Sequence, residues 1–235
     1  LEFSISVPRA TYVSFAFTRF INQLPSEKKI SIHFKETSSI EAANDVSSGE
    51  ADIGILRYPQ IYEEYFLSLL EDKNLKYDVL WKFTMTLLMS ESHPLATLPQ
   101  IEYSMLSRYT EVLHEELQVP FLSFSQMHHH NKLEQPGKKI YIYERGSQFD
   151  LLERVPGTFM WVSSIPESFL KKHGLVLKIC NAPGILNKDV IIYRQKHRIR
   201  DHEQLFIDAL RLETSNLSQE AVDKRVREVE ARLNY

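Results

Sequence analysis

Between residues 3 and 56 the hydrophobic pattern switches repeatedly between a period of two and a period near 3.6. That rhythm is what most limits the folds open to this chain. Residues 3–7 (Phe-Ser-Ile-Ser-Val) alternate apolar and polar as a short strand does, and Pro8 ends the run. Residues 11–23 then place Val13, Phe17, Phe20 and Ile21 at helical spacing, with Leu24 just beyond, and Thr11 is positioned to cap that helix. Residues 30–34 read as a second strand. Ser38 or Ser39 starts a helix that runs to about Val46, and Gly49 closes it. Residues 52–56 (Asp-Ile-Gly-Ile-Leu) form a third strand, apolar enough to be buried on both faces. Strand-helix-strand-helix-strand with crossovers of this length predicts an α/β fold with a parallel sheet.

The pattern repeats further on. A helix is expected near 61–73, strands at 77–83 and 84–89, a break at His93-Pro94-Leu95 and a short helix near 102–108. Residues 120–138 are polar and irregular. A second set follows: strand 140–143, helix 147–154, strand 159–162, helix 166–173, strand 176–179, strand 190–193 and an amphipathic helix near 201–212. Residues 218–233 predict a charged last helix with a thin apolar stripe, suited to docking on a neighbouring surface. The expected architecture is two Rossmann-like lobes, 1–90 with 191–235 and 91–190, joined by two crossing hinge strands. Ligands of open α/β sheets bind beyond the carboxyl ends of the strands, against helix N-termini. A clamp closing on a small molecule between the lobes is therefore the expected working part.

Composition removes other classes. The 235 residues are 43% hydrophobic and 25% charged, with a net charge of −3, so no basic surface for nucleic acid is evident. No apolar run reaches the length of a membrane span, and no secretory signal opens the chain. The single cysteine, Cys180, has no partner for an internal disulfide and reads as a small buried residue. A cytoplasmic protein, or a fragment cut at a domain boundary, is expected. His128-His129-His130 lacks the ligand spacing of a zinc site and reads as a solvated loop. Ser163-Ser164 lacks a nucleophile elbow, and no phosphate-cradling glycine motif occurs. No catalytic residue, metal site or cofactor is expected.

Several ordered segments resemble the LysR-type transcriptional regulators. Gly49-Glu50-Ala51-Asp52-Ile53-Gly54 is similar to the family's G-E-x-D-I/L-A/G run. Leu80-Trp81-Lys82-Phe83 through Leu87-Leu88-Met89, followed by Ser92-His93-Pro94-Leu95-Ala96, resembles its next strand and turn. Residues 101–106 match its short helix, and Ser163-Ser164-Ile165-Pro166 stands where it writes x-L-L-P. The resemblance spans residues 3–212. It implies the C-terminal effector-binding domain of such a regulator, with the type-2 periplasmic-binding-protein fold. It also implies a homo-oligomer (dimer or tetramer), and DNA contact through an N-terminal winged helix-turn-helix that this chain lacks. One departure stands out: Phe159 and Trp161 occupy the two glycine positions of the family's G-x-G-I/V-x-x-L-P, which predicts a reshaped or partly filled cleft.

By position, the resemblance assigns effector contacts to four loops: Ala10, Thr11 and Tyr12; Ser38 and Ser39; Arg57 and Tyr58; Ser147 and Gln148. Trp161 is added as a flat apolar wall. Helix N-termini, hydroxyls and an arginine at a strand's end favour an effector with an anionic group. For each the plain alternative is structural: a cap, a surface ion pair, a solvated charge. The competing functions are a solute-binding protein of a transport system and an enzyme on the same fold. The latter needs a convergent acid, base or nucleophile that the sequence does not offer.

Overall fold

The computed structural model describes residues 2–25, 29–114, 137–181 and 186–217. They form two compact units: Leu1–Thr84 with Ile185–Tyr235, and Met85–Gly184.

The first unit holds a five-stranded sheet: β1 (Glu2–Val7), β2 (Ser31–Glu36), β3 (Ile53–Pro59), β4 (Leu75–Thr84) and β10 (Leu186–Arg194), in the order β2-β1-β3-β10-β4. β1 runs parallel to β2 and β3, as the alternation predicts. The wholly parallel sheet is corrected, because β10 lies antiparallel to both β3 and β4. Helices α1 (Thr11–Gln23) and α6 (Asp201–Leu217) pack through an aromatic cluster in which Phe3, Phe20 and Phe206 meet edge to face, and Arg19 reaches Glu213 between them. α2 (Ser39–Ser48) comes so close to the sheet that a Cβ on Gly54 would lie 2.9 Å from both Val46 and Ile192. That contact accounts for the glycine in a buried strand. α3 (Glu63–Asp72) sets Phe66 flat against Tyr58, with ring centroids 4.6 Å apart.

The helix ends follow local chemistry. Ser38 caps α2 by accepting the Glu41 N–H, and Gly49 ends it at φ 88°, where glycine is unstrained. The fully buried Glu203 accepts from the Arg200 N–H three residues back, from the Arg200 side chain and from His197, which fixes the start of α6. Capping of α1 by Thr11 is corrected. Ala10 is the N-cap, with no side-chain bond, and Thr11 is the first helical residue, already buried.

The second unit repeats the layout. β5 (Thr86–Ser90), β6 (Thr110–His114), β7 (Lys138–Ile142), β8 (Thr158–Val162) and β9 (Leu175–Lys178) take the order β7-β6-β8-β5-β9. β6 is parallel to β7 and β8, and β5 is antiparallel to β8 and β9. α4 (Gly146–Arg154) and α5 (Glu167–His173) cover one face, and the short 3₁₀ segment Tyr103–Arg108 covers the other. Sequence reading missed β6 altogether. Its Glu111 and His114 interrupt the apolar pattern, although Glu111 is buried. β10 begins four residues earlier than its apolar run, because Asn187, Lys188 and Asp189 are buried inside the sheet.

Phe159 is fully buried with Leu87, Met89, Tyr103, Leu106 and Cys180, and Trp161 packs half-buried against the same group. The Phe159 ring is thus core of the second unit. The 218–233 helix and the His128–His130 run lie outside the described residues.

Candidate functional site

In the first unit, the residues expected to bind a ligand gather at the carboxyl ends of β1, β2 and β3. Strand register explains how. Asp189 on β10 pairs with Arg57 on β3 and with Trp81 on β4, so the three side chains stand side by side. Tyr12, in the first turn of α1, comes down on the same spot. The fully buried Asp189 carboxylate accepts from the Tyr12 hydroxyl (2.6 Å), the Trp81 Nε1–H (3.1 Å), and the Nε and one terminal N–H of Arg57 (2.9 and 2.7 Å). The guanidinium also lies over the Phe83 ring at 4.7 Å. Burial, and then the charge of Asp189, raise the Tyr12 hydroxyl well above its ordinary value, so it stays a donor.

Ser39 extends this network. Its hydroxyl donates to the Arg57 carbonyl (2.7 Å) and accepts the Arg57 N–H (2.9 Å), which ties the start of α2 to the end of β3. The Thr37 N–H donates to the Val7 carbonyl, tying the same loop to β1. Tyr12, Ser39 and Arg57 are thus brought together, and Ser38 is spent on its cap. Tyr58 points to the opposite face. Its hydroxyl is buried with no hydrogen-bond partner among the described residues, and burial raises it far above the ordinary tyrosine range.

Ala10 and Thr11, both buried, stand beside these residues at the start of α1. Among the described residues, the N–H groups of Thr11 and Tyr12 carry no hydrogen bond; those of Val13 and Ser14 turn back to the Ala10 carbonyl. The first turn of α1 holds no acidic residue. Every other described helix has a side-chain cap, or a carboxylate in or just ahead of its first turn. Among the described α-helices, α1 alone has neither a side-chain cap nor a carboxylate at its N-terminus.

In the second unit, Ser147 and Gln148 are already engaged. The exposed Glu144 takes the N–H groups of Gly146 and Ser147, so α4 is capped by its own chain. The Ser147 hydroxyl and these N–H groups hold the Glu144 carboxyl below its ordinary value. Gln148 is buried, and its side-chain oxygen meets His114 Nε2 at the end of β6, while His114 Nδ1 faces the Ile142 carbonyl at 3.3 Å. Asp189, Trp81 and His114 are neighbours of the candidate residues that sequence reading missed. A polar residue inside or closing a strand was the available signal for Asp189 and His114. No grouping of three metal-ligating side chains occurs among the described residues, and no helix among them is long and apolar enough to cross a membrane.

Two open sheets of the same 2-1-3 parallel layout, each finished by antiparallel strands and flanked by helices, define the type-2 periplasmic-binding-protein-like architecture of regulatory effector domains. The sequence matches the LysR substrate binding domain over residues 3–214, and the chain belongs to that family. It is therefore an effector-binding regulatory domain of the LysR-type transcriptional regulators, which fits it better than a transport solute-binding protein. No curated protein matches the chain by sequence. Solved structures share the fold. The effector binding domain of QuiR in complex with shikimate superposes with a TM-score of 0.62 at 17% identity, covering 92% of this chain and 99% of that one. The regulatory domain of CcmR from Synechocystis in complex with 2-PG gives 0.62 at 16% identity, covering 92% and 98%. A full-length OxyR variant from Pseudomonas aeruginosa gives 0.61 at 12% identity, covering 89% of this chain and 73% of that one.

Proposed function

We propose that the domain senses a small organic anion, and that the uncapped first turn of α1 receives its charged group. The observation carrying this reading is the uncapped N-terminus at Ala10, with the N–H groups of Thr11 and Tyr12 unanswered beside the Ser38–Ser39 loop. Helix N-termini bind carboxylates and phosphates for this reason. The QuiR and CcmR structures, each holding a small organic ligand, support the class of effector. Arg57 is not assigned the anion, because Asp189 neutralises it; its role here is to shape the floor of the site. Ser147, Gln148 and Trp161 stand as candidate contacts on the second unit.

In the full-length regulator, a winged helix-turn-helix ahead of this domain contacts DNA, and two-fold pairing with another copy completes a cytoplasmic assembly. The domain binds its effector without turning it over. Thermal-shift screening of organic acids, phosphorylated acids, amino acids and aromatics tests the reading, because a ligand bound only by the folded state raises the melting temperature. An acid is expected to raise it, and Thr11→Ala to weaken that response. A panel in which only cations or neutral aromatics register overturns it, and conversion of any panel member by the purified protein overturns the non-enzymatic part.

A further inference from the structure

The second unit contains a carboxyl in an unusual place. Glu111 lies in β6, inside the sheet, with 4% of its surface exposed. In register it stands beside Lys139 on β7 and Phe159 on β8. Phe159 belongs to the apolar cluster with Tyr103, Leu106 and Cys180, and Trp161 two residues on packs against the same cluster. Glu111 accepts no hydrogen bond among the described residues, unlike every other buried carboxylate described. Asp45 has Ser6 and Lys35, Asp189 has four donors, Glu203 has Arg200 and His197, and Glu213 has Arg19. A charged carboxylate is costly in such a setting, and a neutral one much less so.

We propose that Glu111 is a buried proton switch: its carboxyl sits neutral beside Phe159, and its ionisation loosens the sheet face that carries Phe159 and Trp161. Among the described residues, the titratable groups coupled to it are Lys139 and Tyr103. Lys139 on the neighbouring strand favours the charged form. The Tyr103 hydroxyl on the 3₁₀ segment is pushed up to about 12 by burial and then by Glu111 itself, and so stays neutral. Burial outweighs Lys139 and pushes the Glu111 carboxyl up to about 7. The ordinary carboxyl value in the unfolded chain is lower, so the native state binds this proton more tightly. The stability linked to it is fully present below the unfolded value near 4.5 and is lost as pH rises through about 7. The switch therefore operates across neutrality, and it acts on the face that holds the candidate contact Trp161.

The test compares the intact chain with Glu111→Gln by thermal unfolding at pH 5.5, 6.5, 7.5 and 8.5. The two are expected to melt together at pH 5.5. At pH 8.5 the variant should melt several degrees higher, the gap opening through neutrality. A constant offset at all four values, or a variant that loses ground as pH rises, overturns the proposal. Carbon-detected NMR titration of the glutamate carboxyls in the unaltered chain decides the matter without any variant. One carboxyl titrating near neutrality is expected, and a set that all titrates in the ordinary acid range overturns it.

Discussion

Arg57 and Asp189 form a closed pair across adjacent antiparallel strands: two N–H groups of one guanidinium meet the two oxygens of one fully buried carboxylate. The Arg57 side chain is itself only 13% exposed. Removing one partner of a buried pair leaves a stranded charge, which costs far more than removing both. Asp189→Asn should therefore lower stability by about 3–5 kcal/mol. Arg57→Met combined with Asp189→Leu should cost well under the sum of the single changes. Urea unfolding of the three variants reads this directly. Additive losses would mean that the carboxylate is held by Tyr12 and Trp81, with Arg57 incidental.

The uncapped turn of α1 makes a second prediction with two opposite signs. Ala10 already has the extended backbone that an N-cap needs, at φ −141° and ψ 132°. Ala10→Ser supplies the missing acceptor, which stabilises a helix by about 1 kcal/mol. The same hydroxyl would satisfy an N–H that the proposed site offers to the effector. The variant should melt higher without ligand and respond less to the acid that shifts the unaltered chain. A higher melting temperature with an undiminished response would place the anion elsewhere.

His93 links the turn after β5 to acid stability. Its Nδ1 accepts the Leu95 N–H at 3.1 Å, so Nε2 carries the proton; that atom is buried without a partner among the described residues, and the ring tilts against Tyr109. Burial lowers its proton affinity below the ordinary histidine value. As pH falls through about 6.5, the unfolded chain takes up a proton that the native chain refuses, so stability falls. This is opposite in sign to Glu111. His93→Asn keeps an acceptor for the Leu95 N–H and should flatten the decline between pH 7 and pH 5 in denaturant titrations. An unchanged slope would mean that the native ring accepts the proton after all.

The alternation of periods was enough to read two α/β sets and nearly every element that has a clean apolar face. What escaped was polar. β6 was missed because Glu111 and His114 look like surface residues, and β10 was begun late because Asn187, Lys188 and Asp189 do too. The Asp189 cluster depends on the register of three strands and on the descent of α1, relations between segments up to 177 positions apart. No local pattern encodes them. The loops that carry Ser38, Ser39 and Arg57 were legible as a place, but not the bonds that occupy them. Ser39 proved to be a brace for β3, and Ser147 a partner of Glu144.

Phe159, a departure from the family pattern, lies in the core of the second unit. Restoring the family's residue by Phe159→Gly would, on a cleft-filling reading, open a ligand site at small cost. Its ring is instead fully buried beside Leu87, Met89 and Cys180 in the second unit. Truncating a buried phenylalanine removes about 3–5 kcal/mol. Glycine within a strand adds about 0.5–1 kcal/mol through backbone entropy. Phe159→Gly should therefore unfold at much lower urea, and Phe159→Leu should retain most of the stability because it keeps most of the volume. Trp161, half-buried against the same cluster, should tolerate Trp161→Gly better. If the two glycine variants cost the same, or if Phe159→Gly is nearly neutral, then Phe159 does not act as core.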